Sequence, residues 1–189
     1  YLDPGHMSPM LYSALALQGK YTIDDLKTFR QWGTICPGHP ERDIIHGIEN
    51  TSGPLGQGHT YAVGAAIAEK FLEARLGSTM MQHKIYATSL TVEFRKRYHR
   101  RWPHRRLFKL NNLIMFYDAN EIQLSTECDV VMRENTRMKY ESWGWNVLEI
   151  NGNAPDEIRA ALILANKEEN RPTLIIGHTV MAKGARKED

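Results

Sequence analysis

Cysteine is nearly absent from this 189-residue chain: there are two, Cys36 and Cys128. They stand far apart with no CxxC spacing, which argues against a zinc site built on close ligand pairs and against a disulfide framework. They fit a reducing compartment, and the cytoplasm is the expected location. No run of 18 or more apolar residues occurs, so no membrane-spanning helix is expected. No signal-peptide pattern opens the chain either, and Tyr1-Leu2-Asp3-Pro4-Gly5 reads as a polar turn. Internal repeats and low-complexity linkers are missing. The first residue is not Met and the chain closes on a polar stretch, so both ends read as cuts.

Another scarcity is local. Residues 88–109 contain one acidic residue, no Asp and no Gly, yet they hold eight of the 24 Lys and Arg. The remaining residues carry 16 basic against 21 acidic side chains, so this one block turns a mildly acidic protein into one of net charge +2.

The length and the 42% hydrophobic content suffice for one sizeable core. Residues 10–18 are apolar and helix-favouring, with Gly19 as a stop. Thr22 can cap a short second helix. A turn-rich stretch, residues 50–58, leads into a long helix over residues 59–76, where Ala62, Ala65, Ala66, Ala68 and Ala74 predict a small, close-packing side. Residues 84–87 start like a strand and stop abruptly. Residues 113–117 (LIMFY) read as a buried strand, 133–142 as a helix and 146–150 as a strand, with a turn at Asn151-Gly152-Asn153. Pro155, Asp156 and Glu157 open a helix with an apolar stripe of Ile158, Ala161, Leu162 and Ala165. Residues 173–179 close as a buried strand. This alternation predicts an α/β fold, a parallel sheet with helices on both faces.

Ligands of open α/β sheets sit at the carboxyl ends of the strands. Three features fall there. The glycine-rich residues 53–58 precede the long helix and let backbone approach a ligand closely, or they form only a tight turn. Asp118-Ala119-Asn120-Glu121-Ile122 offers hard oxygen donors suited to Mg²⁺ or Ca²⁺, or only an Asx turn. His6 and His39 lie in polar loops and suit phosphate or hydroxyl groups, or are plain surface.

Taken in order, these segments match one family. GHMSPMLYSALAL, FRQWGTICPGHPE, GIENTSGPLGQGHTYAVGAAIAEK, FYDANEIQLS and RPTLIIGHTVMAKGA resemble successive motifs of the thiamine-diphosphate-binding domain of transketolase. The resemblance covers nearly the whole chain except the basic block. It implies that His6 contacts the cofactor diphosphate and that Gly53 and Leu55 meet the aminopyrimidine through backbone groups. It implies that Asn120 by its side chain and Ile122 by its carbonyl ligate a divalent metal, Mg²⁺ or Ca²⁺. His39 would hydrogen-bond the donor substrate or the reaction intermediate. The implied reaction moves a two-carbon ketol unit from a ketose phosphate to an aldose phosphate, with thiamine diphosphate doing the carbanion chemistry. A deoxyxylulose-phosphate or dihydroxyacetone synthase is the neighbouring alternative. The activating glutamate of the family lies in a pyrimidine-binding domain that this chain lacks, as it lacks a C-terminal domain. The chain alone is therefore expected to be inactive. Its expected partners are sugar phosphates and either an identical subunit of the full-length enzyme or a separate C-terminal half subunit.

The family's GDG motif, whose Asp is a metal ligand, should follow the strand at residues 84–87. The basic block stands there instead. Codons exist for residues 88–98 that, with one T placed ahead of them, read YISDGGIQEEI. A second nucleotide near Arg100 and a third near Phe108 extend this to YISDGGIQEEISQGAGRIAGYLK and restore the frame at Leu110. Residues 88–109 are thus expected to be frameshifted, and a chain that carries them to bind metal and cofactor very weakly. A nucleic-acid-binding module built on the Arg-rich block, with Tyr98, Trp102 and Phe108 interleaved, is the alternative from another class.

Overall fold

The computed structural model describes residues 1–90, 109–120, 122–123, 126–127 and 134–184. Most of the basic block, Cys128 and the expected helix start at Arg133 lie outside them. A 3-10 turn at Gly5–Met7 leads into α1 (Ser8–Leu17), with Pro9 in the first turn, where a missing N–H costs nothing. Gly19, at φ 77°, ends α1, and Lys20 N–H returns to the Leu15 carbonyl at 2.9 Å. α2 (Ile23–Lys27) carries a capping box in which Thr22 and Asp25 satisfy each other's backbone N–H. α3 is Gly58–Leu76, α4 Thr136–Ser142 and α5 Pro155–Lys167.

The main sheet is parallel, with strands β1 (Ile85–Leu90), β2 (Leu113–Ala119), β5 (Asn146–Asn151) and β6 (Thr173–His178) in the order β1-β2-β6-β5. A short antiparallel pair, β3 (Ile122–Gln123) and β4 (Thr126–Glu127), stands apart. Central β6 is buried from Thr173 to Gly177, which is why its sequence is a continuous apolar run rather than an alternating one. Helices pack on both faces. On one, Ala62, Val63 and Ala66 of α3 and Tyr140 of α4 meet Leu113, Met115, Tyr117, Leu174 and Ile176. On the other, Ala161 and Ala165 of α5 cover Ile114 and Ile175. Each of these fully buried aliphatic strand residues contributes about 2 kcal/mol through burial. A third cluster, Tyr12, Leu15, Tyr21, Cys36 and Ile48, holds the N-terminal helices and loops together.

Four expectations are corrected. β1 does not stop at Ala87: it runs on through Thr88, Ser89 and Leu90, each paired with β2. The first three residues of the basic block are therefore sheet. Residues 1–3 are not a polar turn. They lie extended along the outer edge of β1, with Leu2 opposite Thr88, Thr88 N–H donating to Tyr1 O at 2.9 Å and Asp3 N–H to Thr88 O at 3.1 Å. α4 starts at Thr136, because the Asn135 side chain accepts from Met138 N–H and sets the boundary. The small side of α3 is only partly the packed side. Ala68 and Ala74 are exposed, and the buried stripe is His59, Ala62, Val63, Ala66 and Glu69, a helical spacing that mixes polar residues with small ones.

Candidate functional site

The register places the carboxyl ends of residues 1–3, β1, β2 and β6 along one edge of the sheet: Leu2 pairs with Thr88, Thr88 with Phe116, and Ala119 with His178. Chemistry gathers at two places on that edge. They are separated by β1 and so stand about two strand spacings, roughly 10 Å, apart.

The first place is the glycine loop. Gly56 has φ 87°, a conformation that favours glycine, and the turn it makes delivers the chain into α3. Gln57, the N-cap residue of α3, gives no side-chain cap. Asp3 stands in for it from the neighbouring strand edge. Its Oδ1 accepts from Gly56 N–H at 3.0 Å and Gly58 N–H at 2.6 Å, and its Oδ2 lies 2.8 Å from His59 Nδ1. Both side chains are 0% exposed. A Cβ on Gly58 would stand 2.5 Å from the Asp3 Cα, so only glycine admits this approach.

His6, His39 and Gly53 converge beside this loop. A Cβ on Gly5, the residue before His6, would lie 2.5 Å from His39 Cδ2 and 2.9 Å from Gly53 Cα. Long-range bonds hold the His39 loop in place: Ser8 Oγ donates to Gly38 O at 2.7 Å, Tyr12 Oη to Pro37 O at 2.8 Å, and Ser52 N–H to Pro40 O at 3.0 Å. Desolvation by the surrounding protein, and then the nearby His39, hold His6 below the usual imidazole range. Its ring is therefore neutral at pH 7 and offers one N–H donor and one acceptor. Both histidine side chains reach solvent. Gly53 is different from Gly5 and Gly58. A Cβ there would meet no atom of the described residues within 4 Å, so their packing does not demand glycine. The bare backbone faces open space, as a ligand cradle does. Next to it, Arg30, Gln31, Trp32, Thr34, His39 and Glu41 line a groove of about 690 Å³, a size suited to a small ligand.

The second place is the end of β2. Asn120 Oδ1 accepts from Ile122 N–H at 3.2 Å, an Asx turn that leaves the oxygen a second lone pair. The Asp118 carboxylate accepts from the Thr179 hydroxyl, and burial pushes its carboxyl above the ordinary carboxylate range, with the Thr179 bond opposing. Thr179 N–H also donates to Ala119 O at 3.3 Å, and Val180 N–H to Asn153 Oδ1 at 2.7 Å, so the turn after β6 is tied to the end of β2 and to the turn after β5. Among the described residues no group of three or more His, Cys, Asp or Glu side chains is placed to hold a metal ion. The Asn120 oxygen and the Ile122 carbonyl are hard donors that fit Mg²⁺ or Ca²⁺, but two donors fill only part of either ion's shell.

The structure thus brings His6, His39 and Gly53 together, with Leu55 in the same loop, and keeps Asn120 and Ile122 on the opposite flank. Asp3, His59 and Thr179 escape a reading of the sequence. Their partners lie 53 to 61 positions away, and no spacing rule connects them. Among the described residues no helix is long and apolar enough to cross a membrane.

Residues 1–189 match the family described as transketolase, thiamine diphosphate binding domain. The chain is 40% identical over 193 residues to a transketolase of Geobacillus stearothermophilus, covering 97% of this chain and 28% of that protein. It is 37% identical to one of Streptococcus pyogenes, covering 99% and 26%. Among solved structures, transketolase from Campylobacter jejuni superposes with a TM-score of 0.90 at 40% identity, covering 99% of this chain and 30% of that one. A Pichia stipitis transketolase in complex with sedoheptulose-7-phosphate gives 0.91 at 32% identity, covering 99% and 29%. The chain spans between a quarter and a third of the length of these relatives. The family match spans the chain from end to end, which favours the enzyme-fragment expectation over a nucleic-acid module.

Proposed function

The chain belongs to the transketolase family, within its thiamine diphosphate binding domain, and from that premise we propose that it forms one side of a ketol-transfer site. The reaction moves a two-carbon unit from a ketose phosphate to an aldose phosphate in the cytoplasm. When bound, thiamine diphosphate supplies the carbanion stabilisation. The chain's own residues bind and orient. The neutral His6 ring donates an N–H to the diphosphate. Gly53 and Leu55 present backbone groups to the aminopyrimidine. Asn120 and Ile122 would give two oxygens to a divalent cation, which would help neutralise the charge of the diphosphate. His39, which lines the groove of about 690 Å³, hydrogen-bonds the sugar donor. The observation that carries this reading is the Gly53 face, which is open among the described residues and lies against Gly5, the neighbour of His6 and the residue that meets His39. Catalysis calls for a pyrimidine-binding domain, from the rest of a longer chain or from a separate subunit, and an identical subunit to complete the site.

We also infer that residues 88–109 are a frameshifted version of YISDGGIQEEISQGAGRIAGYLK. The recovered Asp would take position 91, next in sequence to Leu90 at the end of β1, where the family's motif has its metal ligand. Two measurements test the reading. Sequencing the coding DNA should reveal the shifted frame; an error-free run encoding TSLTVEFRKRYH would overturn the inference. Calorimetry with thiamine diphosphate and Mg²⁺ should show the version with the recovered string binding about tenfold or more tighter than the chain as it stands, a difference of about 1.4 kcal/mol. Equal affinities, or micromolar binding by the chain as it stands, would contradict the role given to the block.

A further inference from the structure

The buried Asp3–His59 pair has no part in the roles given above, although no other carboxylate among the described residues is so enclosed. Burying a carboxylate is costly unless donors surround it. Here three donors come from one short window, Gly56, Gly58 and His59, which is the end of the glycine loop and the first turn of α3. The carboxylate is anchored independently, because Asp3 N–H is bonded to Thr88 O in β1. Position is therefore passed from the sheet to Asp3 and from Asp3 to the loop. The loop's own N-cap residue takes no part. The first amides of a helix carry partial positive charge, so an anion is favoured at this place. Gly58 is needed because any Cβ would push Asp3 away.

We propose that Asp3 is a positioning residue for the cofactor loop: its carboxylate, braced by the His59 imidazole through an Nδ1–H donor, fixes where the backbone of residues 53–58 faces the ligand. The role rests on the reading of Gly53 and Leu55 as cofactor contacts. It adds a residue that touches no ligand and that acts through Gly56 and Gly58. The expected ligand class is unchanged, thiamine diphosphate with a divalent cation.

The test uses the full chain, ¹⁵N-labelled, as wild type, Asp3→Asn, Asp3→Ala and Asp3→Leu. In the wild type the His59 Nδ1 resonance should show a protonated nitrogen, and the Gly58 amide proton should lie downfield, as a short bond to a carboxylate requires. Asp3→Ala should speed amide exchange at Gly56 and Gly58 by about tenfold or more, while Met115 and Ile175 in the central strands stay within about twofold. Asp3→Asn keeps an acceptor oxygen and should restore most of that protection. Titration with thiamine diphosphate and Mg²⁺ should move the Gly53 and Leu55 resonances in the wild type and in Asp3→Asn, at about tenfold lower concentration than in Asp3→Ala. Asn fills the same space as Asp, so Asp3→Leu, which fills that space without an acceptor, separates packing from hydrogen bonding: exchange at Gly56 and Gly58 should stay as fast as in Asp3→Ala, and protection restored by Leu would overturn the positioning role. Exchange at Gly56 and Gly58 that ignores Asp3 would overturn the positioning role, whatever the cofactor does. Exchange that responds, with Gly53 and Leu55 silent to thiamine diphosphate in every variant, would instead overturn the cofactor reading on which the role rests. If Asp3→Ala does not fold, the wild-type signals decide: an unprotonated Nδ1 and an ordinary Gly58 shift would overturn the proposal.

Discussion

On the glycine-loop flank, Asp3 reaches across 53 to 56 positions of sequence to Gly56, Gly58 and His59; on the β2 flank, Asn120 reaches across two, to Ile122. The first set of bonds is fully enclosed, and the second is half-buried. Enclosure strengthens each bond and raises the cost of losing it. The glycine loop is therefore set by folding before any ligand arrives, in the way preorganised sites are. The β2 flank supplies only two oxygens and a local turn, and in the proposed function it would be completed by the ligands it holds. One side of the site is a template, and the other is finished by what binds.

Gly58→Ala should break that contrast most severely. The new Cβ meets Asp3 backbone at 2.5 Å, and a strand edge cannot swing aside as a flexible side chain does. Overpacking of this kind costs about 3 kcal/mol, which in a domain of this size lowers Tm by roughly 6–12 °C. Thermal unfolding followed by circular dichroism checks it. A fall of about 2 °C or less would mean that the loop adapts, and the template description would fail.

Much of the fold was legible because it is written locally. The apolar runs at 113–117 and 173–179, the Thr22 cap, the Pro155 start and the Gly19 stop all act within a few residues of themselves, and each appears where expected. The misses share one cause, contacts made from afar. Tyr1-Leu2-Asp3 looks like a turn until β1 offers an edge for it to pair with. Residues 88–90 look foreign until β2 pairs with them. Ala68 and Ala74 look like packing residues until the sheet selects a different stripe of α3. The candidate site divides in the same way. The Asx turn at Asn120 could be read from five consecutive letters. The meeting of His6, His39 and Gly53 had no local signal and was available only through family resemblance.

Asp118→Asn probes the link between β2 and the turn after β6, with a smaller effect and a defined sign. Burial raises the Asp118 carboxyl above its ordinary range. A group whose folded pKa is raised contributes stability below its unfolded pKa, near 4, and that contribution is lost as pH rises through the folded value. At neutral pH the ionised carboxylate is thus a burden. Asn keeps an acceptor for the Thr179 hydroxyl without the charge. The variant should melt higher than the wild type at pH 7, with the gain shrinking as pH falls towards 4. Thermal scans across that range decide; a variant that melts lower at pH 7 would show that the carboxylate's charge is wanted there even without a ligand.

Asn120→Ala should have the least effect on the fold and thereby sharpen the contrast. It removes one local, half-buried hydrogen bond, worth about 0.5 kcal/mol and about 1–2 °C in Tm. Its effect on binding should be out of proportion. Measured on the version carrying the recovered 88–109 string, thiamine diphosphate affinity should gain about tenfold less from added Mg²⁺ than it does with Asn120 in place. Asn120→Asp, which keeps an oxygen at the same position, should retain most of the gain. Affinity without Mg²⁺ should be the same in all three, because the glycine-loop flank does not depend on the β2 turn. If the metal-free affinity fell as well, the two flanks would be coupled through the sheet edge, and the division into a template and a ligand-completed side would give way to a single cooperative site.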